Sequence, residues 1–185
     1  MNDADLVAGL QRGDPDTVEY FVQEYAPALY RFAYYQLGDA AAAEDLVSEV
    51  IVRVIGRVGD FVLEQATFRA WLFRIARNLI ADYYRARKRR PQVSLEAVIE
   101  AEPGIEPGRY DSQMEVLLDR EQLQSGLATL TDEQRQVILL HVVEGWELPQ
   151  VAELLKRSLP SVKSLYYRGV QSLRRALVRN GDKPG

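Results

Sequence analysis

The stretch PQVAELLKRSLPSVKSLYYRGVQSLRRAL, Pro149 to Leu177, decides how the rest of the chain is read. Pro149 to Leu155 predicts a short helix with Val151, Ala152, Leu154 and Leu155 available for a core, and Lys156 to Leu159 turn the chain. Pro160 suits the first turn of a second helix, where a missing N–H has no intrahelical partner to lose. Leu159, Val162, Tyr166, Val170, Leu173 and Leu177 recur at helical spacing and predict one apolar stripe along it. Ser161, Lys163, Ser164, Tyr167, Arg168, Arg174 and Arg175 lie on other faces, and Lys156 to Arg179 holds 7 basic residues and no acid. A short helix, a turn and a longer basic helix make the helix-turn-helix layout. Its second helix enters the major groove and offers N-terminal side chains to base edges. Lys163, Ser164 and Arg168 can donate to bases or phosphates, and the short hydroxyl of Ser161 suits phosphate. An ordinary helical hairpin with a basic face is the competing reading, although solvated faces usually intersperse both signs.

A second basic block, FRAWLFRIARNLIADYYRARKRR, runs from Phe68 to Arg90. Trp71, Leu72, Ile75, Leu79 and Tyr83 are spaced to bury one side of a helix capped by Thr67 and ended before Pro91. Arg74, Arg77, Asn78, Ala81, Tyr84, Arg85 and Lys88 share another face. Guanidinium groups bind phosphate, asparagine reads base edges, and aromatic rings stack on unpaired bases, so the mixture suits nucleic acid better than a purely electrostatic patch. Trp71 reads equally as core or as the edge of a DNA cleft. The Arg87–Arg90 run by itself only complements a helix dipole.

Outward from these blocks the chain turns acidic. The net charge is −8 over residues 1–68, +7 over 69–90, −6 over 91–121 and +3 over 122–185, which conceals two basic patches inside an overall −4. Two basic patches on an acidic chain point to polyanion contact at two places. The 185 residues, 47% hydrophobic and 27% charged, have the composition of a globular protein. With no cysteine and a single histidine, His141, disulfide frameworks, thiolate nucleophiles, Cys-ligated metal sites and most His-based ones are excluded, and no cofactor is expected. No apolar run approaches the ~20 residues of a membrane span, and the N-terminus, MNDADLVAGL, is acidic and unlike a signal peptide. Those features predict a cytoplasmic protein without membrane insertion.

Helical periodicity is nearly continuous. Asp16–Thr17 is expected to cap a helix carrying Val18, Phe21, Tyr25, Leu29 and Phe32, stopped by Gly38–Asp39. The next runs from the alanine tract to about Arg57, with Leu46, Val50 and Val54 in one apolar row and Val47, Ile51 and Ile55 beside it. Pro91 to Tyr110 reads as an acidic linker rich in proline and glycine, with a short turn near Leu95–Ile99. Helices are expected again over Ser112–Ala128 and Gln134–Glu144, the latter started by Thr131-Asp132-Glu133 and ended by Gly145. The fold class is all-α: two small helical domains, residues 1–90 and 112–180, joined by the linker 91–111, the second a helix-turn-helix domain.

Five blocks, in order and on both sides of the linker, resemble the extracytoplasmic-function (ECF) RNA polymerase sigma factors. They are GDPDTVEYFVQEYAPALYRFAYYQLGD, AAAEDLVSEVIVRV, FRAWLFRIARNLIADYYR, LATLTDEQRQVILLHVVEGW and VKSLYYRGVQSLRRAL. The resemblance implies a sigma factor that binds core bacterial RNA polymerase at its clamp, reads −10 and −35 promoter elements and opens the duplex, without catalysis of its own. It implies core-polymerase binding by Asp45, Leu46, Val47, Glu49, Val50 and Arg53. It places −10 recognition on Trp71, Arg74, Arg77, Asn78, Asp82, Tyr84, Arg85 and Lys88, with Asp60 to Ala66 accepting an unstacked base. It places −35 recognition on Ser158, Pro160, Ser161, Lys163, Ser164, Tyr167 and Arg168. An anti-sigma partner is common in the family. The chain ends soon after its last helix, from which no appended sensory domain is expected.

The chain departs from the family pattern at several positions. Lys156-Arg157 stands where the turn usually carries glycine followed by a small or apolar residue, Pro160 and Leu165 where glycine and arginine are common, and His141 where arginine is common. Val62-Leu63-Glu64 makes the melting loop more apolar and acidic than usual. Two rivals stay open on the residues alone. A stand-alone helix-turn-helix regulator would bind duplex DNA unaided at half-sites about one helical turn apart. A helical adaptor would form complexes insensitive to salt and to DNA.

Overall fold

The structure, a computed structural model, describes residues 1–63, 66–89 and 120–181, and every element among them is helical. In order these are α1 (Asp3–Gln11), α2 (Pro15–Leu37), α3 (Ala40–Arg57), a 3-10 turn (Val58–Asp60), α4 (Phe68–Arg89), α5 (Arg120–Ala128), α6 (Asp132–Ile138), a π-helical turn (Leu139–Val143), α7 (Leu148–Leu155) and α8 (Leu159–Gly181). The fold class is all-α, as the periodicity predicts. The linker 91–111, the turn near Leu95–Ile99 and the expected helix start at Ser112 lie outside the described residues.

The termini of these helices follow from local chemistry. Asn2 accepts from Asp5 N at 2.8 Å to cap α1, and Gly13, at φ +66°, ends that turn. α2 begins one step earlier than expected: Asp14, not Asp16–Thr17, is its cap, accepting from Thr17 N at 3.2 Å, and Pro15 takes the first helical position. The Thr17 hydroxyl bonds the same carboxylate and holds Asp14 below its usual pKa. Thr17 itself is buried against Gly9, where a Cβ would lie 2.8 Å from the Thr17 Cβ, so α1 and α2 meet closely. Gly38, at φ +70°, stops α2, and Asp39 accepts from Ala42 N at 2.9 Å to start α3. Thr67 caps α4 through Ala70 N, at 3.2 Å. Thr131 and Gln134 form a reciprocal capping box on α6.

Contacts divide the chain into two compact units, each drawn from two stretches. One comprises Met1–Pro27 and the described part of Leu46–Asp111; the other comprises Ala28–Asp45 and the described part of Ser112–Gly185. In the first, α1 contributes Leu6, Val7 and Leu10, α3 contributes Val50 and Val54, and α4 contributes Phe68, Leu72, Phe73, Ala76 and Ile80. The buried row of α4 therefore differs from the expected one. Leu72 is core, whereas Trp71, Ile75, Leu79 and Tyr83 form its half-buried edge. The block contains apolar residues on two adjacent rows, and Phe73 and Ala76 took the inner one.

In the second unit the α2–α3 tip packs with α5 to α8 through polar as well as apolar contacts. Arg31 makes two bonds of 3.3 Å to Glu144, whose side chain is only 1% exposed. Arg135 donates to the carbonyls of Leu127 at 3.0 Å, Gln36 at 3.1 Å and Leu130 at 3.3 Å. The π turn sets up the first pair: Glu144 N bonds Leu139 O at 2.9 Å, one residue further back than an α-helix allows. The wider turn ends at Gly145, φ +70°. On α8 the buried positions are Val162, Leu165 and Gly169, and Val170 of the expected stripe is exposed. Gly169 belongs there because a Cβ would approach Ile138 Cδ1 to 2.8 Å.

Candidate nucleic-acid interface

In the first unit the candidate interface is α4 and the residues before it. Phe68 is fully buried and meets the rings of Phe21 at 5.8 Å, Tyr25 at 5.5 Å, Phe61 at 5.8 Å and Trp71 at 5.8 Å. Phe61 and Trp71 lie 5.0 Å apart, and both are half-buried, so the cluster presents an aromatic edge outward. Trp71 thus serves core and surface together. From this edge along α4, Arg74, Arg77 and Tyr84 are half-buried, while Asn78, Asp82, Arg85 and Lys88 are exposed. Arg85 pairs with Asp82 one turn away, which presents that arginine together with a carboxylate. Arg74 Nε is buried and has no hydrogen-bond partner. Burial pushes the Tyr25 phenol up to about 12, with the Asp3 carboxylate adding to the shift. The loop residues Val62 and Leu63 are exposed; Glu64 and Gln65 lie outside the described residues.

In the second unit the candidate interface is the turn between α7 and α8 and the first turns of α8. Ser158 caps α8 through Ser161 N at 3.4 Å, and Val162 N bonds Ser158 O at 3.1 Å. Ser158, Pro160, Lys163, Ser164, Tyr167 and Arg168 are exposed and Ser161 is half-buried, so all seven expected residues share the outer side of this helix start. Tyr167, 64% exposed, leans on Tyr166 with ring centroids 5.6 Å apart. Tyr166 packs edge-on against His141 at 5.0 Å, and His141 Nδ1 sits 2.6 Å from the carbonyl of Trp146, so that nitrogen carries the donated proton. His141 is therefore occupied within the unit as a half-buried, hydrogen-bonded side chain.

The turn resolves two of the departures. Lys156 adopts φ 53° and ψ 46°, the left-handed conformation that favours glycine. Arg157 closes the turn through its N–H to Ala152 O at 2.9 Å, and its side chain pairs with Glu133, so it is engaged on α6. Leu165 is 7% exposed and belongs to the core, which removes it from base reading.

α3 carries the candidate partner face. Leu46, Val47 and Val50 are buried and anchor the helix. Glu49 and Arg53 face outward and pair at 2.7 Å, and Asp45 is exposed. Beside them stand Val52, 65% exposed, and Ile55, 45% exposed. Sequence reasoning missed Val52 and saw Ile55 only as a flanking row. The available signal was an excess of apolar rows, more than one buried side of a helix can use.

The comparisons agree with this geometry. Residues 21–90 match the family model Sigma-70 region 2, and residues 120–173 match Sigma-70, region 4. The chain is 32% identical over 178 residues to the ECF RNA polymerase sigma factor SigL of Mycobacterium tuberculosis, covering 95% of this chain and 97% of SigL. It is 32% identical over 173 residues to the ECF RNA polymerase sigma factor BldN of Streptomyces coelicolor, covering 94% of this chain and 65% of that protein's length. Among solved structures, the sigma factor RpoE in complex with the anti-sigma factor NepR, from Bartonella quintana, superposes with TM-score 0.69 at 26% identity, covering 89% of this chain and 98% of RpoE. CnrH in complex with the cytosolic domain of CnrY shares the fold, at TM-score 0.71 and 23% identity, with 98% of this chain and 99% of CnrH covered. Two sigma regions in order, and 32% identity over nearly the full length of a curated relative, show that the chain belongs to the ECF family of RNA polymerase sigma factors, promoter-specificity subunits of bacterial RNA polymerase.

Proposed function

We propose that this protein binds core RNA polymerase through the outer face of α3 and directs initiation at promoters read by α4 and α8. The observation that carries the reading is the pair of solvent-facing basic helical faces, one in each compact unit, together with an α3 face where Val52 and Ile55 remain uncovered. On α3, Val52 and Ile55 supply apolar contact, while Asp45, Glu49 and Arg53 supply charge that orients the docking. On α4, Arg74, Arg77, Asn78, Tyr84, Arg85 and Lys88 hold the −10 strand by phosphate contact, base-edge bonds and stacking, with Trp71 at the upstream end. The Asp82 carboxylate restrains Arg85. On α8, Lys163, Ser164, Tyr167 and Arg168 reach major-groove edges, while Ser158, Pro160 and Ser161 set the helix start against phosphate.

In this reading residues 1–90 form the polymerase-binding and −10-reading region, 91–111 the linker, and 112–180 the −35-reading region. The protein contributes no catalytic group, since nucleotide addition belongs to core polymerase, and it acts in the cytoplasm. No helix among the described residues is long and apolar enough to cross a membrane. RpoE was solved with the anti-sigma factor NepR, which supports an anti-sigma partner here as well.

The test is transcript 5′-end mapping with purified core polymerase and genomic fragments, with and without this protein. Discrete new start sites sharing upstream and downstream elements are expected. No new starts, together with tight duplex binding by the protein alone, would replace the reading with a stand-alone regulator.

A further inference from the structure

α1 lies before the region that matches the family model, yet both of its ends hold the strand-reading region of the first unit. At its first residue, Asp3 Oδ2 accepts from Phe68 N at 2.8 Å, across 65 residues of chain. At its last, Gln11 Nε2 donates to Val58 O at 3.1 Å, across 47 residues. Between them Leu6, Val7 and Leu10 are buried, and the close fit of Gly9 on Thr17 fixes α1 against α2. The two clamped points bracket the aromatic edge: Val58 opens the 3-10 turn that leads to Phe61, and Phe68 opens the helix that carries Trp71.

The chemistry of the Asp3 contact is specific. The first N–H groups of a helix lack intrahelical acceptors and carry its positive dipole end. Thr67 satisfies Ala70 N, and Asp3 satisfies Phe68 N with a full negative charge supplied from another helix. A charge-assisted bond at that point sets where α4 begins, and with it the placement of Phe68, the ring on which Phe61 and Trp71 both rest.

We propose that α1 is a brace for −10 recognition, with Asp3 and Gln11 as positioning residues that hold the Phe61–Trp71 edge in the geometry that receives an unpaired base. The inference rests on the sigma-factor reading above. Neither residue touches DNA in this role; each acts through the segment it clamps.

The test uses the full chain assembled with core polymerase, and as probe a single-stranded oligonucleotide carrying the non-template strand of a start region mapped with the wild-type protein. The double variant Asp3→Ala/Gln11→Ala is expected to bind that oligonucleotide about tenfold more weakly, the scale of one lost charge-assisted bond. Its binding to core polymerase and to the upstream duplex element should stay within about twofold of wild type. Asp3→Asn alone, which keeps an acceptor for Phe68 N, should retain most of the binding. Unchanged oligonucleotide binding in the double variant overturns the brace. So does a parallel loss of polymerase binding, which would mean α1 only supports the fold. Failure of the wild-type holoenzyme to bind the oligonucleotide overturns instead the −10 assignment of α4, and the brace with it.

Discussion

Lys156 is the residue at which local geometry and side-chain identity disagree most plainly. It takes a left-handed conformation, the only positive φ outside glycine among the described residues, in the turn that orients α8. Such a conformation costs a residue with a Cβ about 1–2 kcal/mol. Glycine would relieve that strain but add unfolded-chain entropy of about 0.4–1 kcal/mol. Lys156→Gly is therefore expected to stabilise the protein by about 0.5–1 kcal/mol in urea unfolding, the difference between those terms. A destabilised variant would show that the lysine stem makes a contact outweighing the strain.

At the scale of the element, α4 illustrates how one helix divides its faces. Leu72, Phe73, Ala76 and Ile80 turn inward, and the basic residues stand off that row. Reversing the charge of Arg74, Arg77 and Arg85 together is expected to lower promoter opening by roughly two orders of magnitude, from three lost contacts of about 1 kcal/mol each. Thermal stability should fall by less than the loss of a core side chain would cost, because Arg74 and Arg77 are half-buried and none of the three belongs to the buried row. Permanganate footprinting of the opened region reads the first effect and calorimetry the second. Intact opening would remove α4 from the −10 role. The same division explains the sequence-level error in α4. Apolar residues occupied two neighbouring rows, and periodicity gives the width of an apolar face but not which edge of it meets solvent.

For the whole molecule, the decisive contacts join residues far apart in sequence. Arg31 and Glu144 are 113 residues apart and form a two-bond ion pair with the carboxylate almost fully buried. Removing one partner leaves a buried charge without its counter-ion, so Arg31→Ala should destabilise the protein by about 3–5 kcal/mol. Replacing both, as Arg31→Met/Glu144→Leu, should recover most of that loss, because two apolar side chains of similar volume need no desolvated charge. Equilibrium unfolding of the two variants measures both values. A loss below about 1 kcal/mol in Arg31→Ala would place the pair with ordinary surface bridges.

Much of this protein was legible along the chain because its signals are local. Helical period, caps at Thr67 and Thr131, stops at Gly38–Asp39 and Gly145, and two clusters of like charge each need only a few neighbouring residues to be read. These made α4, the helix-turn-helix and the two basic faces readable. Family resemblance then mapped the site residues onto those faces. What stayed hidden depends on partners distant in sequence. Nothing near Glu144 announces Arg31, nothing near Asp3 announces Phe68 N, and the packing of Ala28–Asp45 with the C-terminal helices follows from no period in either segment. The sides of α3 and α4 belong to the same class, since an apolar residue becomes core or exposed patch only when another element covers it. Sequence alone determined most of the helices, α1 excepted, and where charge gathers, because hydrogen bonds and capping act within a turn. Only the tertiary structure decided which faces close on each other, because burial is settled by whatever the rest of the chain brings against them.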